Sequence, residues 1–136
     1  MNIANDNFTE ADLIELERAV DTIVRICHKM NAHWWIDPVT GEDVSKNPLM
    51  APTKMLLMVS EVCEAMEADR KDLMDDKLPH RKGVEVELAD ALIRIGDYAG
   101  KYKLQLGAAA REKSAFNLVR PDHKHENRAK KGGKKY

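Results

Sequence analysis

Four carboxylates in two short motifs are the residues of this 136-residue chain best suited to chemistry. Glu61-Val-Cys-Glu64 and Glu87-Leu-Ala-Asp90 each set two acids three residues apart, with 22 residues (65–86) between the motifs. On a helix, that spacing projects both acids from one face, close enough to share a ligand. If two such helices lie antiparallel with these faces opposed, four like charges converge and need a cation to offset their repulsion. Magnesium suits them: a hard, oxygen-liganded ion that takes a few carboxylates plus water and substrate phosphate. Two such ions could clamp a triphosphate and activate water. Periodicity alone favours a plainer arrangement. The acids lie nearly opposite an apolar seam of Met55, Val59, Val62 and Met66, as a solvated face would.

Other residues gather around the same faces. Lys54 falls two turns before Glu61 and Glu64, a position from which it could reach a phosphate. Arg94, Asp97 and Lys101 follow Glu87 and Asp90. Asp97 could support a metal-bound water, or could simply pair with Arg94 or Lys101. His28, Asn31, Trp34 and Trp35 cluster at the end of the first helix. Tryptophan offers a stacking face, and asparagine a donor and an acceptor for a base edge. One of the two tryptophans is expected to be core, leaving Asn31 with one tryptophan as the candidate base site. His123 and His125 flank Lys124 without a cysteine or second histidine pair, so a transition-metal site is not indicated.

The elements that must position these side chains read as helices. Thr9 is a candidate N-cap for a helix running to about residue 31, with Leu13, Leu16, Val20, Ile23, Cys27 and Met30 as its apolar stripe. Residues 36–52, with three prolines and a glycine, read as a functional loop. Thr53 is expected to cap the second helix, with Met55, Val59, Val62 and Met66 as its core seam to about Arg70. A third helix spans about 84–104, with Val84, Leu88, Ala91, Ile95 and Tyr102 toward the core. Gly107 punctuates before a fourth over about 108–118. Four helices without a convincing strand make an all-α, four-helix bundle the expected architecture.

Composition agrees with that class. Glycine (7) and proline (5) are few, which favours helix, and a 33% charged fraction leaves a small core that oligomerisation could complete. Cys27 and Cys63 read as buried free thiols in a cytosolic chain without a signal peptide. Residues 1–119 carry 15 basic and 21 acidic side chains (−6), and residues 120–136 carry seven and two (+5). The boundary expected is therefore a helical domain over 1–119 and a basic tail over 120–136. No phosphate loop of the G-x-x-x-x-G-K-[ST] type and no G-x-S-x-G nucleophile motif is present, so those enzyme classes are excluded at motif level.

At the paired acidic motif the sequence resembles the MazG family of the all-α NTP pyrophosphatase superfamily, whose signature is E-x-x-E followed by E-x-x-D. The likeness continues through residues 67–81 and 116–128, where it is similar to short, phage-encoded members, and is weakest at 36–52. It implies a four-helix bundle of that type, completed by oligomerisation to a dimer or dimer of dimers. It implies hydrolysis of a (deoxy)nucleoside triphosphate to the monophosphate and pyrophosphate, with guanine nucleotides such as dGTP preferred, in the cytoplasm of the cell or phage host. Glu61, Glu64, Glu87 and Asp90 would hold Mg2+, for which Mn2+ substitutes. Lys113, Asn117 and Arg120 match the family's K-x-x-x-N-x-x-R element and would grip phosphate, with the tail closing over it. A reading from another class is a non-catalytic helical dimer that binds nucleic acid through the basic tail. The acidic body and the lack of a recognition-helix motif argue against it.

Overall fold

A computed structural model describes residues 8–121 and 124–133. The elements are α1 (Glu10–Asn31), α2 (Met50–Arg70), α3 (Gly83–Lys101), α4 (Leu106–Val119) and α5 (His125–Arg128), with single 3-10 turns at Ala32–Trp35 and Val44–Lys46. The described residues form an all-α structure without strands, holding only two isolated bridges, Ile36 with Asp43 and Met74 with Lys82. None of these helices is long and apolar enough to cross a membrane. Asp122, His123 and residues 134–136 of the basic tail lie outside the described residues.

The chain divides into two compact units, one of residues 1–21 with 105–136, the other of residues 22–104. In the first, α1 starts on a reciprocal cap. The Thr9 hydroxyl accepts from the Asp12 N–H at 3.3 Å, and the Asp12 carboxylate accepts from the Thr9 N–H and hydroxyl at 2.6 Å. Arg111 of α4 bridges Glu10 and Glu17 of α1. Gly107 lies inside α4 rather than before it, at a position where a Cβ would strike the Asp21 side chain and the Glu17 carbonyl.

The second unit carries the remainder of α1, with α2 and α3. Helices α1 and α3 meet at Gly96 and Gly100: a Cβ on Gly96 would come within 3.0 Å of the Cys27 Cβ, and one on Gly100 would overlap His28. Helices α2 and α3 run antiparallel, since Ala68 meets Gly83 near one end while Glu61 meets Arg94 further along. Small side chains allow that approach, with Ala65, Ala68 and Ala91 all buried.

Several sequence expectations are corrected here. Thr53 does not cap α2. The helix starts three residues earlier at Met50, tolerates Pro52 in its first turn where an N–H is not needed, and uses the Thr53 hydroxyl to donate to the Leu49 carbonyl at 2.7 Å. The seam on α2 faces outward: Val59 is 56% and Met66 63% exposed, with Met55 and Val62 also exposed. The opposite face, with Glu61 and the two alanines, packs on α3. Leu88 and Ile95 of α3 are likewise exposed, as is Cys63, whereas Cys27 is buried. Periodicity locates two faces of a helix; it does not say which one is inside when the inner face is built from alanine and a paired acid.

The segment between α1 and α2 is tightly organised. The Asp37 carboxylate accepts from the Val39 and Thr40 N–H groups at 2.8 Å, and Gly41 takes the positive φ (72°) that the turn requires. Asp43 caps the turn at Val44–Lys46 through Ser45 and pairs with Lys101 of α3 at 2.6 Å. The loop is thereby fastened to the helix that carries half the acids.

Candidate metal centre

The inner faces of α2 and α3 bring Glu61, Glu87 and Asp90 together, with one carboxylate oxygen from each lying within 4.8 Å of the others. Each position follows from helix geometry. Glu87 and Asp90 share a face of α3, while Glu61 lies one turn before the buried Ala65 on α2. Glu61 is only 6% exposed, Glu87 is half-buried and Asp90 is exposed, so the cluster runs from the helix interface out to solvent. Glu64 is exposed, and its charge acts on Glu87. Burial is the first cause holding the Glu87 carboxyl above its usual range, followed by the charge of Glu64, the hydrogen bond with Glu61, and the charges of Glu61 and Asp90.

The buried Glu61 carboxylate is met by Arg94, whose Nε lies 2.7 Å from Oε1. A buried carboxylate needs a compensating cation, and here the chain supplies one from α3, one turn beyond Asp90. The donor set fits a hard divalent cation on chemical grounds: three carboxylates from two helices, within reach of one ion. Sequence reasoning placed Arg94 on this face but offered it Asp97 as partner. Its spacing from Glu87 and Asp90 (i+7 and i+4) was the signal for its position, and nothing in the sequence showed that Glu61 would be buried opposite it.

Beside the carboxylates lies a cleft of about 470 Å³ within the second unit. Asp90 and Arg94 form one side, and Asn31, Trp34 and Lys54 also line it. Its volume falls in the range of small-molecule sites. The two tryptophans differ sharply. Trp35 is 1% exposed, and its Nε1 donates to both Asp97 oxygens at 2.9 Å; Trp34 is 65% exposed. Lys54 Nζ sits 4.6 Å from the Trp35 ring centroid and Lys101 Nζ 5.4 Å from it. The Asn31 amide donates to the Cys27 carbonyl at 2.9 Å, which fixes its orientation at the cleft.

Asp97 pairs with neither Arg94 nor Lys101. It accepts from Trp35 and shares its Oδ1 with His28 Nδ1 at 2.9 Å, so this buried carboxylate has its hydrogen bonds satisfied. Ile93 and Tyr98 also line the cleft, and no sequence signal pointed to them. No family model, curated protein or solved structure matches the chain.

Lys113, Asn117 and Arg120 belong to the first unit, at the end of α4. They gather around the exposed Phe116. Lys113 Nζ lies 5.2 Å and the Arg120 guanidinium 5.7 Å from its ring centroid, and Arg120 donates to Asn117 Oδ1 at 3.4 Å. The described residues thus hold a potential metal-binding cluster of acidic side chains with a cleft beside it.

Proposed function

We propose that the chain is a MazG-like nucleoside triphosphate pyrophosphohydrolase that uses Mg2+, or Mn2+ in its place. The observation that carries this reading is the Glu61, Glu87 and Asp90 cluster opening beside a cleft that also presents cations and an exposed aromatic face. Glu61, Glu87 and Asp90 hold the metal, with Glu64, one turn after Glu61 on α2 and exposed, completing the set. When bound, the ion supplies charge neutralisation for the triphosphate and acidity for an attacking water. Lys54 draws the phosphate chain into the cleft as a point charge. Trp34 stacks on the base beside Asn31, and Trp35 forms the floor rather than a stacking face.

Lys113, Asn117 and Arg120 bind phosphate oxygens in this reading, through the fork geometry of arginine and the point charge of lysine. Guanine deoxynucleotides such as dGTP are the proposed substrates, following the resemblance to short MazG-like proteins. The protein works as a homo-oligomer. Support for that comes from α2, where Met55, Val59, Val62 and Met66 follow a 4-3-4 spacing and are all exposed, as on a helix that packs against another helix.

The test is direct. Each NTP and dNTP is incubated with the protein, with and without Mg2+ or Mn2+, and the products are resolved. Monophosphate and pyrophosphate should form only with metal; no turnover of any nucleotide with either ion overturns the proposal.

A further inference from the structure

Arg94 has a position that the metal reading alone does not explain. Its Nε is 2.7 Å from Glu61 Oε1, so a permanent cation already occupies the inner edge of the acid cluster. Its side chain is 41% exposed and lines the cleft with Lys54 and Asp90. One guanidinium therefore reaches both the most buried carboxylate and the open space beside it. A dication bound by Glu61, Glu87 and Asp90 would stand against the guanidinium on the same carboxylate, and like charges at that range repel strongly in a partly buried site.

We infer that Arg94 is an internal counter-ion that Mg2+ displaces from Glu61, and that the released guanidinium then binds the substrate's phosphate chain in the cleft. This rests on the carboxylates being the metal site and adds a coupling between metal and phosphate. Without metal, Arg94 neutralises Glu61, and its guanidinium is held on that carboxylate at the edge of the cleft. With metal, Glu61 is neutralised by the ion, and the planar fork is free to pair with phosphate oxygens. Magnesium and a polyphosphate thus promote each other's binding, and thermodynamic reciprocity requires the effect to be equal in both directions.

The probes are Mg2+ alone and inorganic tripolyphosphate with Mg2+, followed by calorimetry on the full chain, with circular dichroism confirming helix content. Arg94→Gln removes the competitor, so Mg2+ alone should bind about tenfold tighter or more, while tripolyphosphate should bind about tenfold weaker. Arg94→Lys keeps the competing charge but loses the fork. It should bind Mg2+ alone as the unaltered protein does and tripolyphosphate more weakly, which keeps the test decisive if Arg94→Gln does not fold without metal. Unchanged or weaker Mg2+ affinity in a folded Arg94→Gln variant overturns the displacement while leaving the metal site standing. Tripolyphosphate affinity unchanged in Arg94→Lys overturns the transfer to phosphate. No binding of Mg2+ to the unaltered protein overturns the metal reading and this inference together.

Discussion

Glu87 concentrates the electrostatic tension of the site in one side chain. Its carboxyl titrates above the usual range because burial and the neighbouring acids disfavour its charge. Between the ordinary and the raised value the folded state holds a proton that the unfolded chain has lost, so Glu87 contributes stability to the metal-free protein that grows as pH falls through the raised value toward the ordinary one, against the opposite contributions of Asp12, Asp37, Asp43 and Glu67. Glu87→Gln should remove that slope, raise the melting temperature of the metal-free protein at neutral pH by a few degrees, and abolish Mg2+-induced stabilisation. Thermal melts across pH with EDTA or Mg2+ check all three. Glu61→Gln should lower turnover by about a hundredfold or more, since an amide oxygen is a weaker ligand and lacks the negative charge that offsets the ion. The convergence of Glu61, Glu87 and Asp90 was legible from residue type and spacing. The burial of Glu61 was not, because solvent exposure depends on which face of α2 meets α3.

Helix boundaries followed from local rules where a side chain bonds its own backbone, as at Thr9, and failed where the helix starts without one, as at Leu49. Thr9→Ala should cost about 1 kcal/mol of stability, measured by urea denaturation, through loss of the cap. At the α1–α3 crossing the constraint is space. Gly100→Ala places a methyl group into His28 and should destabilise by about 1–3 kcal/mol. It should also disturb the His28–Asp97–Trp35 chain of hydrogen bonds beneath the cleft. Gly96 and Gly100, four residues apart, share a face of α3, and the sequence reading singled out neither. That the face meets α1 closely enough to forbid a Cβ is a tertiary fact, and no local propensity encodes it.

For the whole molecule, the outward seam of α2 is where the proposed homo-oligomer can be tested. If the seam joins copies as proposed, Val59→Asp should shift the protein to a monomer in light scattering and lower its melting temperature, since it sets a charge in the middle of an apolar stripe. The expectation of a small core completed by other copies came from composition; the apolar residues exposed on α2 are the ones periodicity had assigned to the interior. The two units offer another consequence, through their optics. Both tryptophans of the chain, Trp34 and Trp35, lie in the unit of residues 22–104. Tryptophan emission, excited selectively over tyrosine, therefore follows that unit alone and is silent on the unit containing α4. The buried indole of Trp35, bonded to Asp97, is shielded from iodide, while the exposed ring of Trp34 is open to quenching. A quenching curve thus separates into two populations, and a ligand that stacks in the cleft protects only the second. Comparing emission with far-ultraviolet dichroism during denaturation then reads whether the two units melt in one step or two.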